Sequence, residues 1–324
     1  MKNSETPLQI VRWLADGEFR SGERLGEWLG ISRAAVSKHI RTLQSWGIDV
    51  FTVPGKGYRL AEPMELLTTE RLQALAPEAQ FALLPVIDST NQYLLDRIGQ
   101  YPSGYACLAE YQHAGRGRRG RVWQSPFGAN LYLSMYWRLD QGPAAAVGLS
   151  LAIGVIVADV LTSLGVGDVK VKWPNDLYLN DKKLSGILVE LTGQTGDAAH
   201  IVLGMGINVA LPASVREQID QPCACVKDVC PELSRNQLAA ALLQALQQQL
   251  PRYEQAGLGA FYERWNELDN FAGRQVRLLM GERCVEGVAC GIDSHGALRL
   301  RLADGTLKSF IGGEISLRPV TAVQ

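Results

Sequence analysis

The 324-residue sequence lacks a hydrophobic segment at its amino end and any strong excess of charge. Residues 1–7 are polar, 32 Lys and Arg stand against 33 Asp and Glu, and the formal net charge is -1. Without a secretory segment, the six cysteines are expected to be reduced thiols in a cytoplasmic protein. Because the overall charge is near zero, any binding of a polyanion has to come from local basic patches.

The sequence also has little that is typical of a zinc site or a membrane span. Cys223, Cys225 and Cys230 lie close together, but no Cys-x-x-Cys pair or spaced histidines accompany them, so zinc is not expected. The most apolar run, Val147 to Leu161, contains Asp159 and is shorter than a bilayer requires. This run predicts a buried helix, and no membrane partner is expected.

What the sequence does contain is a strongly basic loop. Residues 115–121, called the basic loop from here on, place four arginines among three glycines with no carboxylate between them. Each guanidinium offers paired donors that match phosphate or carboxylate, and glycine lets the backbone approach a ligand. We expect the loop to be mobile when empty and to become ordered around an anion. A solvated basic patch or a nucleic-acid tether is the alternative explanation of this composition.

Nucleophilic catalysis is not indicated. The four histidines are His39, His113, His200 and His295; only His113 lies near the basic loop, and no Ser-His-Asp or Cys-His pairing is evident. The chemistry is therefore expected to work by positioning and charge neutralisation, as in phosphoryl or nucleotidyl transfer with Mg²⁺. Asp176 is the acidic candidate for the metal.

The amino-terminal region has the pattern of a winged helix-turn-helix. Helices are predicted over 7–16, 24–28 and 32–46, and a hairpin over 48–60 follows them. Between residues 20 and 59, seven basic residues stand against three acidic ones, which favours DNA binding. A helical bundle used only for protein contacts is the alternative. The residues expected to contact DNA are Arg33, Ser37, Lys38, Arg41 and Lys56.

Two further regions follow a linker near 61–69. The central region alternates strand patterns with helical ones and predicts an α/β domain. Short alternating runs after residue 270, separated by glycine-containing turns, predict a small antiparallel barrel. The predicted domains are residues 1–62, 63–269 and 270–324, and the fold class is α+β multidomain.

The run from Val169 to Glu190 predicts two strands joined by a tight turn, with a candidate catalytic lysine after the turn. Period two places Lys183 on the same strand face as Ser185 and Ile187, and the small Ser185 and Gly186 leave space near the ammonium group. Lys183 is therefore a candidate anion contact. For a lone lysine at a strand end, protection of a sheet edge is the commoner role.

Another strand, 201–209, predicts a slot for a flat ligand. Gly204, Gly206 and Asn208 share one face, so two positions lack a side chain and the third presents an amide. Close packing of strand and helix is the alternative, and a dinucleotide-binding fingerprint is excluded because its third glycine is missing. Residues 88–92 precede a helical pattern and can both cap that helix and offer backbone donors to a ligand.

Four motifs together resemble the biotin protein ligase family. They are Gly-Arg-Gly-Arg-Arg-Gly-Arg at 115–121, Lys-Trp-Pro-Asn-Asp at 172–176, Lys-Leu-Ser-Gly-Ile-Leu-Val-Glu at 183–190 and Gly-x-Gly-Ile-Asn at 204–208. With a winged helix before them and a barrel after them, the whole chain is similar to the bifunctional members that also repress the biotin operon. The resemblance implies a central mixed-sheet domain like that of class II synthetases and a C-terminal SH3-like barrel.

The resemblance also implies a two-step reaction and roles for individual residues. Biotin and ATP form biotinyl-5′-adenylate, and biotin then passes to a lysine of the biotin carboxyl carrier protein of acetyl-CoA carboxylase. Lys183 and Arg118 are the expected catalytic residues. The residues expected to bind biotin are Ser89, Thr90, Asn91, Gln112, Gly115, Arg116, Arg118, Lys183, Gly204 and Gly206. Those expected to bind ATP or the adenylate are Arg116, Arg118, Arg119, Arg121, Trp123, Asn175, Asp176 and Asn208, with Glu314 and Arg318 reaching the nucleotide from the barrel.

A homodimer that forms when the adenylate is bound is the regulatory state that the resemblance implies. One winged helix per subunit needs a dimer to read a two-fold operator DNA. The expected interface comprises residues 141–146 and 188–192, a surface for which the carrier protein competes. Residues 212–230 occupy the place of a variable loop that packs over the adenine.

Three alternatives stay open at this point. A transcription factor that senses a small anion without chemistry would carry the same helix-turn-helix. A lipoate ligase shares the central architecture and a bridging lysine, although the basic loop favours biotin. A nucleic-acid ligase uses a Lys-x-Asp-Gly motif whose lysine becomes adenylated, whereas residues 183–186 here lack the aspartate.

Overall fold

Three helices and a hairpin form the amino-terminal unit. The computed structural model describes residues 5–193, 197–311 and 315–319, with side chains as far as residue 311. The elements are α1 (Glu5–Leu14), α2 (Gly22–Leu29), α3 (Arg33–Ser45), β1 (Val50–Val53) and β2 (Gly57–Leu60). Ser32 caps α3 by accepting a hydrogen bond from Ala35 N, and Val36, Ile40 and Leu43 lie in the core of the unit. The predicted helices and hairpin are confirmed.

A mixed sheet of seven strands forms the centre of the described chain. The strands are β3 (Phe81–Ile87), β4 (Ala106–Gln112), β5 (Leu131–Leu139), β6 (Val169–Lys172), β7 (Asp176–Leu179), β8 (Lys182–Thr192) and β9 (Ala199–Ile207). Their spatial order is β3-β4-β5-β9-β8-β7-β6. The β3-β4 pair is parallel and the other neighbours are antiparallel. The predicted α/β character of the central region is confirmed.

Helices cover the two faces of this sheet unequally. They are α4 (Thr69–Leu75), α5 (Thr90–Leu95), α6 (Leu149–Ser163), α7 (Ala213–Arg216), α8 (Arg235–Ala256) and α9 (Tyr262–Leu268). Helix α6 is buried along most of its length, as predicted, and packs with α8 and α9 against the face that carries Ile201, Leu203 and Met205. The short α5 lies on the opposite face, where Leu94 contacts Val202. The thinly covered face is the one with space for a ligand.

The run over 169–179, predicted as one strand, is instead two strands. The chain reverses at Trp173 and Pro174, which are joined by a cis peptide bond, so β6 pairs with β7. Proline has no N–H for a sheet ladder, which ends β6 at this point. The predicted turn between β7 and β8 is confirmed, with Asn180 and Asp181 at φ of 51° and 60°.

The carboxyl-terminal elements form a small antiparallel sheet of five strands within the described residues. They are β10 (Gln275–Met280), β11 (Arg283–Ile292), β12 (Leu298–Arg301), β13 (Leu307–Phe310) and β14 (Ile315–Pro319), in the spatial order β13-β12-β11-β10-β14. The predicted antiparallel β structure is confirmed. Glu314 lies outside the described residues, as does the side chain of Arg318.

The amino-terminal unit is seated against the central region beside the basic loop. The ring centroid of Trp46, at the end of α3, lies 5.5 Å from that of Phe127 and 5.8 Å from that of Tyr111. Ser214 Oγ donates to Asp49 at 2.9 Å. Among the helices of the described ranges, none is long and apolar enough to cross a membrane.

Candidate active site

Two neighbouring strands form the floor of a slot on the thinly covered face of the sheet. Gly186 of β8 lies opposite Gly206 of β9, and Leu188 lies opposite Gly204. A Cβ atom at Gly206 would overlap the indole of Trp123, and one at Gly204 would overlap the amide of Asn91. The floor, called the slot from here on, therefore needs glycine at 204 and 206 because flat groups lie directly on the backbone.

Asn208, predicted to share the slot face, lies beyond it. Strand β9 ends at Ile207, and Asn208 N donates to Leu184 O at 2.9 Å while its Nδ2 donates to Lys183 O at 3.4 Å. Asn208 lines a second cavity instead of the slot. Strand period predicts the face of a side chain only within the strand, and Asn208 lies one residue past the end of β9.

A β-bulge at Leu184 decides where Lys183 points. Tyr178 is paired with Lys183 and Leu177 with Ser185, so β8 carries one extra residue at this point. Ser185 and Ile187 are buried on the helix-covered side, whereas Lys183 Cε would lie 3.6 Å from a Cβ at Gly186 on the slot side. The prediction that Lys183 shares a face with Ser185 and Ile187 is therefore wrong, because the bulge shifts its phase to that of Gly186.

Lys183 forms the charged end of the slot with Asp176. Its Nζ lies 2.8 Å from Asp176 Oδ1, and the two side chains are 16% and 15% exposed. The ammonium group also lies 5.6 Å from the ring centroid of Trp123. A largely buried cation beside a glycine floor is suited to hold an anion that enters the slot.

Arg118 lies at the same charged end. Its Nη1 donates to Asn175 Oδ1 at 3.0 Å, and Asn175 Nδ2 donates to Ile187 O at 2.7 Å, so the arginine is fixed to β8 through the asparagine. Burial and the charge of Arg119 lower the pKa of Arg118 from its usual value, and Asp176 opposes this shift. Since an arginine starts far above neutral pH, its guanidinium remains charged.

Arg116 is turned to the other end of the slot. Its Nη2 lies 2.9 Å from Glu190 Oε2, and its Nη1 donates to Gln92 Oε1 at 3.0 Å. The geometry thus separates two arginines that were predicted to act together on phosphate. Only Arg118 has its guanidinium in the group that contains Lys183 and Asp176.

The basic loop is a short closed hairpin. Gly117 N donates to Arg121 O at 2.7 Å, and Trp123 N donates to Gly115 O at 2.8 Å at the base of the hairpin. Arg119 at the tip has a φ of 59°. Arg119 and Arg121 are exposed and line the cavity above the slot, which has a volume of about 150 Å³. The loop therefore directs its cations toward the slot, unlike a solvated tether.

The start of α5 forms the wall of the slot, as predicted. Ser89 caps the helix by accepting from Gln92 N, and Gln112 Oε1 accepts from Thr90 N and Thr90 Oγ1 at 2.9 and 3.1 Å. Gln112 Nε2 donates to Ser125 Oγ at 3.0 Å. Amides and hydroxyls are thus fixed by one another in positions where they can read a polar ring.

A second cavity of about 740 Å³ adjoins the first and shares Lys183, Lys172 and Trp123 with it. The segment 212–230 forms part of its wall: Lys183 N donates to Pro222 O at 3.0 Å, and Ala224 N donates to Lys183 O at 2.9 Å. The segment therefore lies directly beside Lys183. The Nε1 atom of Trp123, buried between the cavities, has no hydrogen-bond partner among the described residues.

One cysteine of the segment 212–230, Cys225, takes part in a buried contact. Cys225 is buried, its thiol accepts from Arg216 at 2.9 Å, and burial raises its pKa. In the described part of the chain, no group of three His, Cys, Asp or Glu side chains is arranged to hold a metal ion. Of the three cysteines of this segment, Cys223 lines the second cavity, and Cys225 packs in a small buried cluster with Leu211 and Val215.

Sequence reasoning missed three residues of the site. Lys172 is only 4% exposed, lines both cavities, and donates from Nζ to Tyr178 Oη at 2.9 Å. Ser134 Oγ lies 2.7 Å from Thr90 Oγ1 and 2.5 Å from Asn91 Oδ1, within hydrogen-bond distance of both, and Glu190 holds Arg116. Lys172 is the first residue of the motif at 172–176, so it could have been recognised from the sequence. No local pattern in the sequence marks Ser134.

The predicted DNA-contacting residues share an accessible surface. Lys38 and Arg41 on α3 and Lys56 at the hairpin turn are exposed, and Ser37 is half-buried. The Arg33 side chain is 75% exposed and lies 3.9 Å from Glu23. A recognition helix and a wing with these cations are in the arrangement that a winged helix presents to a groove.

All three structural units of the chain are similar to known protein families. A family model for the biotin/lipoate A/B protein ligase family matches residues 83–208, a model for the biotin protein ligase C terminal domain matches 271–318, and a model for an HTH domain matches 7–59. The solved structure of the biotin protein ligase from Aquifex aeolicus in complex with biotin and ATP is similar with a TM-score of 0.64 and 27% identity, over 74% of this chain and 99% of that one.

Two relatives match along almost the whole chain. This sequence is 59% identical to the bifunctional ligase/repressor BirA of Salmonella typhimurium and 58% identical to that of Escherichia coli, in both cases over 98% of this chain and 99% of the relative. Identity at this level across all three structural units extends the similarity beyond the central fold. The chain belongs to the biotin protein ligase family.

Proposed function

We propose that this chain is an ATP-dependent, AMP-forming biotin protein ligase that also represses transcription of biotin synthesis genes. Its product of the first step, biotinyl-5′-adenylate, serves as the corepressor. The observation that carries the enzymatic part is the slot itself, with glycines 204 and 206 as its floor and Lys183, Asp176 and Arg118 at one end. A flat ring with an anionic tail is the ligand shape that such a slot accepts.

In the first step, a carboxylate oxygen of biotin attacks the α-phosphorus of ATP and pyrophosphate leaves. Both reactants are anions, so a fixed cation between them offsets their repulsion and the charge that gathers in the transition state. Lys183 takes this role, with Arg118 as its neighbour. The lysine acts as a charge and forms no covalent bond, in contrast to the lysine of nucleic-acid ligases.

In the second step, the neutral amine of an acceptor lysine attacks the biotinyl carbonyl, and AMP leaves with the electron pair of the anhydride bond. We propose the biotin carboxyl carrier protein of acetyl-CoA carboxylase as the acceptor. The mixed anhydride is the activated species, so the protein has to keep water out and hold the leaving phosphate. The basic loop and residues 212–230 are placed on either side of Lys183 to do both.

The proposed ligand contacts divide the site into two parts. Biotin contacts are Ser89, Thr90, Asn91, Gln112, Gly115, Arg116, Arg118, Lys183, Gly204 and Gly206. Nucleotide contacts are Arg118, Arg119, Arg121, Trp123, Asn175, Asp176 and Asn208, whereas Arg116 lies at the ring end of the slot. The unpaired indole N–H of Trp123 supports a nucleotide contact, because a buried donor gains a partner when a phosphate or ring nitrogen arrives.

Asp176 fits an Mg²⁺ ion that arrives with ATP. Among the described residues that line the first cavity, Asp176 is the single carboxylate. Mg²⁺ in nucleotide sites is commonly held by one or two carboxylates together with substrate phosphates and water. When bound, the ion would neutralise phosphate charge. The Asp176 carboxylate that would hold the ion is itself fixed by Lys183, which contacts Oδ1.

A pyrophosphate-release assay tests this function and its rivals. The purified chain, ATP and Mg²⁺ are incubated with biotin, with lipoate or with neither acid. We expect release with biotin alone. Release with lipoate would favour a lipoate ligase, and no release with either acid would favour an anion-sensing transcription factor. Covalent label from α-labelled ATP on the protein without any acid would favour the nucleic-acid ligase reaction.

We propose that DNA binding requires a homodimer, with domain boundaries near residues 62 and 269. Over Leu188–Thr192, β8 has a sheet partner only on the β9 side within the described chain, so its other edge can pair with a second subunit. Residues 141–146 are the other segment of the proposed interface, beside residues 188–192. One operator half-site per winged helix then requires two subunits.

Substitution of the recognition cations tests the repressor part. Lys38→Ala and Arg41→Ala should each weaken binding to operator DNA and lower the salt dependence of affinity by about one unit of slope. The matched control is Arg301→Ala, which removes an exposed arginine of the carboxyl-terminal sheet. Sedimentation with and without the adenylate measures the dimer. A control variant that loses as much DNA affinity as Arg41→Ala would contradict the assignment.

A further inference from the structure

One side chain of the basic loop joins both walls of the slot. Arg116 extends from the base of the loop, donates to Gln92 on α5 at 3.0 Å, and lies 2.9 Å from Glu190 on β8. The loop base is itself a narrow ladder, with Arg116 bridged to Val122. Arg116 therefore links the basic loop, α5 and β8 across the end of the slot that is remote from Lys183.

Glu190 also fixes the amide above the slot floor. Its Oε2 accepts from Asn91 Nδ2 at 2.7 Å, and Asn91 Oδ1 accepts from Ser134 at 2.5 Å. Asn91 is buried directly over Gly204. A single carboxylate oxygen thus receives two donors, one from the loop and one from the wall that lies against the ligand ring.

The two ends of the slot differ in net charge. Gly186, Leu188 and Glu190 share the slot face by period two, and Lys183 and Glu190 are seven positions apart, at most about 23 Å along β8 at roughly 3.3 Å per residue. Two cations, Lys183 and Arg118, stand against Asp176 at one end, whereas Glu190 is matched by Arg116 at the other. A ligand with an anionic tail and a neutral ring is therefore oriented before it is bound tightly.

We propose that Glu190 is a positioning residue of the ligase site: its carboxylate holds Arg116 as a clasp that keeps the basic loop closed over the ring end of the slot. This proposal rests on the proposed function. Without the clasp, the loop opens more often and Asn91 loses its anchor. Biotin and the adenylate then dissociate faster, while the cations around Lys183 at the other end stay in place.

Four variants test the clasp by a double-mutant cycle. Glu190→Gln keeps an acceptor for Asn91 and removes the charge, Arg116→Gln removes its partner, and the double variant closes the cycle. Asp159→Asn is the matched control, because Asp159 and Arg264 form an ion pair of 2.8 Å and similar exposure away from the slot. The readouts are KM for biotin and kcat in pyrophosphate release, and the dissociation rate of biotinyl-adenylate in a chase.

We expect Glu190→Gln and Arg116→Gln each to raise KM and the adenylate dissociation rate by about two- to fivefold, as for a partly exposed ion pair, with a smaller change in kcat. The double variant should be little worse than either single variant. High salt should raise the wild-type dissociation rate toward that of Glu190→Gln and leave the variant unaffected. The control should match the wild type.

The outcomes separate the clasp from the function. Additive effects, an unchanged dissociation rate in Glu190→Gln, or an equal salt response in variant and wild type would each overturn the clasp while leaving the ligase assignment intact. A wild-type protein that binds biotin without releasing pyrophosphate would overturn the ligase assignment. In that case, the double-mutant cycle can still be measured through the biotin affinity of each variant by calorimetry. A wild-type protein that does not bind biotin would overturn both.

Discussion

Two ion pairs of almost equal length have opposite surroundings in this protein. Arg235 Nη2 lies 2.7 Å from Glu110, and Lys183 Nζ lies 2.8 Å from Asp176. Arg235 also donates to the backbone carbonyl groups of Asn130 and Glu65, so its donors are directed at protein acceptors. Lys183 instead adjoins two cavities and a strand that has no side chain at Gly186.

The difference lies in what else each cation touches. Glu110 accepts from Leu67 N as well as from Arg235, so the first pair ties the linker, β4 and α8 together and serves the fold. A buried pair of this kind is satisfied and leaves no room for a ligand. The second pair keeps space beside its ammonium group, which is the condition for holding a substrate.

Removal of the structural cation should have the largest effect. Arg235→Met leaves the Glu110 carboxylate buried without its counter-ion, so the free energy of unfolding should fall by about 3–5 kcal/mol. Thermal unfolding followed by circular dichroism measures this change. Adding Glu110→Gln should recover part of the loss, because glutamine still accepts from Leu67 N. If Arg235→Met unfolded at the wild-type temperature, the structural role of the Arg235–Glu110 pair would be contradicted, and with it the contrast to the Lys183–Asp176 pair.

Removal of the site cation should affect the reaction more than the fold. Lys183→Ala should lower the rate of pyrophosphate release by about 10²–10³-fold, in line with the loss of one charge that stabilises a transition state. Its unfolding temperature should stay near that of the wild type, because the side chain is bordered by cavities. Lys183→Arg is the matched variant that keeps charge. Wild-type turnover in Lys183→Ala would contradict the proposed role.

A buried carboxylate with no cation should respond to pH. Burial raises the pKa of Asp269 to about 6, partly offset by a hydrogen bond from Phe271 N. Because an unfolded aspartate titrates near pH 4, the native state holds a proton that the unfolded state has lost between these values, and stability falls as pH rises. Asp269→Asn should therefore gain about 2–3 kcal/mol relative to wild type between pH 4 and 7.

The measurement for Asp269 is thermal unfolding of both proteins across this pH range. The difference between them isolates one group from the other titrating residues. A difference that is constant with pH would contradict a raised pKa for this buried carboxyl group.

An exposed ion pair should have the smallest effect. Asp159 and Arg264 lie 2.8 Å apart with about half of each side chain accessible to solvent. Exposed pairs contribute roughly 0–1 kcal/mol, so Asp159→Asn should change the unfolding temperature little and less at high salt. Chemical denaturation at two salt concentrations measures it. A loss as large as that of Arg235→Met would remove burial as the factor that distinguishes these pairs.

Local patterns in the sequence were sufficient for the elements and for the location of the site. Ser32, the apolar face of α3 and the turn at residues 180–182 are local signals, and each predicted what the structure contains. The motifs around Arg118, Lys183 and Gly204 also come together in space, which a shared ligand requires.

Long-range pairing is what the sequence could not supply. The bulge at Leu184 depends on the register with β7, and the reversal at Pro174 depends on a partner strand, so neither follows from strand period alone. Glu190 looked like a polar residue at the end of a buried run. Its role required knowing that Arg116 and Asn91 reach the same oxygen.

The extra residue in β8 has a consequence for anyone who transplants or shortens this strand. In a regular strand a side chain that starts on one side cannot share that side with a residue an odd number of positions away. Here Lys183 and Gly186 do so because Leu184 adds one step between them. Deleting Leu184 would leave Lys183 two positions from Gly186, so a regular strand would still carry the ammonium group on the glycine side. A strand of the present length without the bulge would instead turn that group toward the helix-covered side.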